Sequence, residues 1–122
     1  MSTWHNHLQR MRAVKLKLPE PMSNYFAAAN AHDADRVAAC FGEDAVVRDE
    51  GRDIHGRNAI RAWAADTSRK YRHKADVKSV EDTVDRTVVT AHVAGNFPGS
   101  PIDLRYRFKL AGRLIAGLEI VI

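Results

Sequence analysis

From Met22 onward the apolar residues recur at helical spacing, and beyond Tyr71 they begin to alternate. Met22, Tyr25, Phe26 and Ala29 make one stripe, which predicts a helix from about Pro21 to His32, opened by a proline and rich in alanine. Asp33 is a good N-cap for a second helix, Ala34 to Phe41, stopping at Gly42. Ala45 to Asp49 is a short β-prone run, followed by a polar loop with Gly51 and Gly56. Ile60, Trp63, Ala64, Thr67 and Tyr71 then mark a third helix, with Trp63 on its buried stripe. Lys74 to Val84 and Arg86 to Asn96 read as strands about an Asp85-Arg86 turn, and Phe97 to Pro101 as a strong turn. Ile102 to Leu110 and Arg113 to Ile122 complete the pattern as a hairpin about Ala111-Gly112. Helices first and strands after argue an α+β fold, its helices on one face of a curved antiparallel sheet.

Strand parity adds a second expectation. In the last strand Leu114, Ala116, Leu118 and Ile120 share one face, and Ile115, Gly117, Glu119 and Val121 the other. Both faces are largely apolar. Helices cover only one, so the other is expected to meet a second copy, giving a homodimer through the sheet.

Composition narrows the class. A chain of 122 residues is long enough for a core without disulfides or metal, and residues 19–122 read as a single domain. Residues 1–18 read as a basic N-terminal arm: Arg10, Arg12, Lys15 and Lys17, with no acid, account for the whole formal charge of +4. The arm is either a solvated tail or a segment that meets an anionic surface. Its form is equally open, strand-like through Lys15 to Leu18 or a short helix seam of Trp4, Leu8, Met11 and Leu18. Without zinc spacing, an aromatic-interleaved basic patch or an RNA-binding motif, nucleic acid is not the expected partner. No apolar run approaches the roughly 18 residues of a membrane span, and there is no secretory h-region, so a cytoplasmic protein is expected. Cys40, the lone cysteine, lies beside Val37 and Phe41 and reads as core rather than nucleophile. No metal site and no cofactor are called for.

The candidate chemistry centres on Asp49. A carboxylate at the end of a strand, just before the helix that covers it, is a place for a raised pKa and for proton transfer. An ordinary ion pair with Arg48, Arg52 or Arg57 is the competing reading. Tyr25 is either a hydrogen-bond donor or a core aromatic. Glu119, in an otherwise apolar strand, either shares acid and base roles across a cavity or makes an edge or dimer salt bridge. His92, alternating with Thr90 and Ala94, either enters the same cavity or stays on the sheet surface. His55, before Gly56, is a candidate for the cavity mouth.

The chain resembles the nuclear transport factor 2-like superfamily, and within it the SnoaL-like and ketosteroid-isomerase-like members. Tyr25 to Asp33, Phe41 to Val47, Gly56 with Ala59 to Trp63, and Tyr106-Arg107-Phe108 with Gly112 and Ile115 to Ile120 carry the resemblance. It implies a cystatin-like α+β roll: three N-terminal helices and a bent sheet forming a cone about a hydrophobic cavity open at one end. By position it implies Asp49 as general base and Tyr25 as oxyanion donor. Trp63, Phe26, Leu104, Tyr106 and His55 are then the expected ligand-contacting wall. The family's second aspartate falls on Leu104. Asp103 is one residue away, and a one-residue offset points a strand side chain to the opposite face, which argues against steroid isomerisation. Two function classes follow. One is a cofactor-free isomerase, cyclase or hydratase in which Asp49 moves a proton on an apolar carbonyl compound and Tyr25, with His92 or Glu119, steadies the enolate oxygen. The other is a non-catalytic dimer that binds a small hydrophobic ligand.

Overall fold

The computed structural model describes residues 18–122. The basic arm expected over residues 1–18, with its two alternative forms, therefore lies almost wholly outside the described residues. The elements run α1 (Glu20–Asn30), α2 (Ala34–Ala39), β1 (Phe41–Asp49), β2 (Arg52–His55), α3 (Arg57–Tyr71), β3 (Lys74–Asp82), β4 (Thr87–Ala94), β5 (Ile102–Ala111) and β6 (Leu114–Val121). Six strands form one curved, unclosed sheet in the order β2-β1-β6-β5-β4-β3.

The sheet is mixed rather than purely antiparallel. β1 and β6, the first long strand and the last, run parallel, and every other neighbouring pair is antiparallel. Two further details differ from the periodicity. α2 ends at Ala39, because Phe41 leaves the helix to start β1 and is fully buried there. The polar loop after Asp49 is instead a tight hairpin: Asp49 pairs with Arg52, and the two residues between, Glu50 (φ 52°) and Gly51 (φ 74°), both have positive φ. That is the backbone of a type I′ turn, whose twist matches the strands it joins. Glu is not a residue that announces such a turn, so its sequence signal is weak.

The concave face of the sheet carries the core. Val89, Ala91 and Val93 of β4, Tyr106 and Phe108 of β5, and Val47 of β1 are buried at alternate positions, facing Met22, Tyr25 and Phe26 of α1 and Ile60 and Trp63 of α3. Edge-to-face aromatic pairs fill the centre: Tyr25–Phe26 at 5.1 Å, Phe26–Tyr106 at 5.0 Å and Tyr25–Phe108 at 5.7 Å between centroids. Cys40 is buried in this cluster. Asp33 caps α2, its carboxylate accepting from the Arg36 N–H at 3.1 Å.

Bulges re-aim two strands. In β6 the register with β5 slips between Lys109↔Gly117 and Leu110↔Ile115, leaving Ala116 as the extra residue. Ile115 and Leu118 are buried on the core side and Ile120 packs half-buried against them, so the strict alternation expected for this strand breaks at Ala116. Lys78 does the same in β3, where Ala75 and Val77 and then Val80 face inward.

Candidate functional site

Between α1, α3 and the concave sheet lies a cavity of about 630 Å³. That is within the roughly 300–1,000 Å³ typical of small-molecule sites. Its wall is mainly apolar, with Ala29, Val37, Ala64, Val93, Ile102, Leu104 and Ile120 contributing. Two groups of polar side chains interrupt it.

The first group is built around Asp49. β1 ends at this residue, and the hairpin that follows leaves its carboxylate against α3, where Trp63 Nε1 donates to Oδ2 at 3.0 Å. Two of the three arginines that competed for it in sequence are engaged elsewhere: Arg48 pairs with Asp53 at 3.6 Å, and Arg57 donates from Nε and Nη2 to the Phe41 carbonyl at 3.0 and 2.8 Å. Among the described residues Asp49 has no salt-bridge partner. Burial pushes its carboxyl above the ordinary carboxylate value, and Glu50 adds to the rise; the indole hydrogen bond and the charge of Arg52, its cross-strand neighbour, pull it down. Tyr25 and Tyr106 line the cavity with it, each only 4% exposed. Burial raises both phenols well above their ordinary pKa, and the charge of Asp49 raises each further. Both are therefore protonated donors at any neutral pH. The arrangement can take a proton at Asp49 and offer O–H groups to an oxygen nearby.

The second group was not singled out from the sequence. His32, Ser68 and His73 line the same cavity, with the His32 Nδ1 hydrogen-bonded to the Ser68 hydroxyl. His32 and His73 stack edge to face at 6.1 Å. Burial lowers the His73 pKa, and His32 lowers it further, while a hydrogen bond to the Thr67 backbone opposes them. Both histidines follow helix ends, where hydrophobic periodicity carries no information about side-chain direction. Near Asp49, Tyr71 donates to Glu50 at 3.1 Å and stands edge-on to Phe97.

Three candidates belong elsewhere. Glu119 is not in the cavity: it lies on the outer face of the sheet and accepts from Arg107 Nη1 at 3.1 Å. The bulge at Ala116 sends Leu118 and Ile120 inward and Glu119 outward. His92 also faces outward, bonded to Asp103 at 2.8 Å, because its neighbours Ala91 and Val93 take the two inward positions of β4. His55 is exposed on β2 opposite Val46 and does not reach the cavity mouth. Neither Glu119 nor His92 can therefore help Tyr25 steady an oxyanion. Leu104 faces the cavity and Asp103 the outside. Trp63 and Tyr106 line the cavity, whereas Phe26 packs behind that wall in the aromatic cluster.

Residues 22–115 match the SnoaL-like domain family. The chain belongs to that family. The structure superposes on a Sinorhizobium meliloti protein, a polyketide cyclase by provisional assignment, with a TM-score of 0.82 and 36% identity over 85% of this chain and 95% of that one. It also resembles a Catenulispora acidiphila protein of ketosteroid isomerase-like fold, solved with trimethylamine (TM-score 0.76, 18% identity, 87% of each chain). A cystatin-fold protein of Novosphingobium aromaticivorans gives 0.70 and 20%, over 84% of this chain and 96% of that one. The last two speak for the fold alone. A search of curated proteins gives no match. No helix among the described residues is long and apolar enough to cross a membrane. This SnoaL-like protein carries a cavity of the size that binds a small molecule.

Proposed function

We propose that the SnoaL-like cavity binds a mostly apolar carbonyl compound and that Asp49 moves a proton on it, as in a cofactor-free isomerase, cyclase or hydratase. The observation that carries this reading is a carboxylate set into an apolar cavity wall, held by an indole N–H rather than an arginine, with two protonated phenols on the same wall. A guanidinium would hold the carboxylate ionised and make it a poor base, whereas burial leaves it a stronger one. In the proposed step the Asp49 carboxylate takes the proton α to the carbonyl. The electron pair moves onto the carbonyl oxygen, which Tyr25 or Tyr106 steadies by donating its O–H. Asp49 then returns the proton to another carbon, or the enolate carbon adds to a second carbonyl carbon of the same molecule, whose C=O π pair moves onto its oxygen and takes the proton back from Asp49. The likeness to the S. meliloti protein supports small-molecule chemistry of this kind.

The test is proton exchange in heavy water, followed by NMR, with β-tetralone as the enolisable probe. The chain should accelerate exchange at the α-carbon, and Asp49→Asn should lose about 10²–10⁴ of that rate, the usual contribution of a positioned base. A chain that binds the probe but exchanges it no faster than buffer is the non-catalytic ligand-binding protein instead. We also propose that the outer face of the sheet pairs with a second copy. Val46 and Val88 are half-buried there beside the Arg107–Glu119 pair.

A further inference from the structure

Asp49 is the last residue of β1, and the chain turns back over Glu50 and Gly51 before Arg52 pairs with it from β2. A type I′ turn asks for positive φ at both central positions, and asparagine followed by glycine is the usual pair. Gly51 fits that requirement. Glu50 does not: at φ 52° its β-carbon crowds the following carbonyl, and a glutamate keeps such a backbone only where its surroundings hold it.

Tyr71 does the holding. Its hydroxyl donates to Glu50 Oε1 at 3.1 Å, tying the tip of the hairpin to the last residue of α3. Tyr71 is fixed in turn by the β4–β5 connection. Its carbonyl accepts the Asn96 N–H at 2.6 Å, and its ring meets Phe97 edge to face at 5.9 Å. Three segments far apart in sequence thus come together in the cavity wall, which Glu50, Gly51, Tyr71 and Phe97 all line.

The outcome is a second carboxylate next to the first. Among the described residues Glu50 makes no salt bridge, so a neutral phenol holds it and its charge is left uncancelled. On α3, Lys70 lies against the Tyr71 ring instead, its Nζ 5.3 Å from the centroid. Two charges act on Asp49, Glu50 from the turn and Arg52 from β2, in opposite directions, and that of Glu50 is the larger. The groups that meet Asp49 from the other elements are uncharged: the Trp63 indole of α3, and the protonated phenols of Tyr25 on α1 and Tyr106 on β5. His32, Asp33 and His73 are the cavity's remaining titratable side chains, and none of them bears on the Asp49 carboxyl. A like charge close by makes a carboxylate hold an accepted proton more firmly.

We infer that Glu50 is a positioning residue for the proton transfer: the strained turn and the Tyr71 hydroxyl keep its carboxylate beside Asp49, where its charge makes Asp49 a stronger base. Arg52, across the turn, works against it. This rests on the proton-transfer reading above and adds the group that sets the strength of the base. The strain at Glu50 then belongs to function, since asparagine or glycine would suit the turn better and supply no charge.

The experiment is the pH profile of α-proton exchange of β-tetralone in heavy water, with urea unfolding alongside, on the full chain. In the parent the rate rises as Asp49 ionises and then levels. Glu50→Gln keeps an acceptor for Tyr71 and removes only the charge. The rise should move to lower pH and the plateau should fall, because a base of lower pKa is a weaker one. Tyr71→Phe, which frees the Glu50 carboxylate, should move the rise the same way by less, and Arg52→Gln should move it to higher pH. Glu50→Asn should shift the profile as Glu50→Gln does while raising the urea midpoint, since asparagine accepts the left-handed backbone. A rise that stays in place in both Glu50 variants overturns the inference and leaves proton transfer by Asp49 standing. So does a loss of rate at unchanged profile that merely follows a loss of stability. Exchange no faster than buffer in the parent overturns the proton-transfer reading, and this inference with it.

Discussion

Trp63 and Asp49 are one unit, since the indole N–H is the direct hydrogen-bond donor to a carboxylate that burial would otherwise drive further from its ionised state. Trp63→Phe keeps most of the packing and removes the donor. The Asp49 pKa should rise further, read by carbon NMR titration of the carboxyl, with a stability loss of about 1–3 kcal/mol for the hydrogen bond to a charged group. An unchanged titration would show that the indole contact does not set the carboxylate's state. Asp49 also leaves a mark on stability. An unfolded aspartate ionises near 3.8, while the folded carboxyl keeps its proton to higher pH. Its contribution is therefore complete below 3.8 and is lost as pH rises through the folded pKa. Asp49→Asn retains an acceptor for the indole and carries no charge. It should be more stable than the parent at neutral pH, and the gap should close below 3.8 in urea unfolding across pH. Parallel stability curves would contradict the burial of this group.

Elements decide which residues reach the cavity. The bulge at Ala116 is enough to put Ile115, Leu118 and Ile120 inside and Glu119 outside, a pattern that strict alternation assigns wrongly. At the other end of the sheet, β4 ends at Ala94 against the α3–β3 connection. A Cβ at Gly95 would lie 2.6 Å from the Tyr71 carbonyl oxygen and 2.9 Å from the His73 Cα. Backbone on both sides leaves it nowhere to go. Gly95→Ala should cost about 1–3 kcal/mol by overpacking. It should also displace His73, seen as a change in the imidazole NMR shifts larger than at His92 on the outer face. Wild-type stability and shifts would show that the strand end and the α3–β3 connection are not in close contact.

The whole molecule links cavity and surface. His73 is the cavity's acid-sensitive group: an unfolded histidine binds a proton below 6.5, and the buried ring resists it. Its contribution to stability is full above 6.5 and falls as pH drops toward the folded pKa, so His73→Phe should flatten that part of the unfolding profile. On the outside, the proposed dimer predicts that Arg107→Glu, which sets two acids side by side with Glu119, dissociates the pair in sedimentation equilibrium. A parent chain that sediments as a monomer would remove that proposal. Much of this architecture was legible in the chain. The stripe through Met22, Tyr25 and Phe26, the cap at Asp33, the stripe through Trp63 and the late alternation all follow from local periodicity and local hydrogen bonding, which neighbouring residues fix among themselves. The same periodicity put Trp63 on the buried stripe of its helix, and the family resemblance put Leu104 and Tyr106 on the wall that lines the cavity. It did not reveal the partner of Asp49, the outward turn of Glu119, or the meeting of His32, Ser68 and His73. Those depend on a two-residue hairpin, a single bulge and two left-handed helix ends, each of which rotates side chains by a backbone change of one or two residues. Their effect appears only when strands and helices far apart in sequence are packed together.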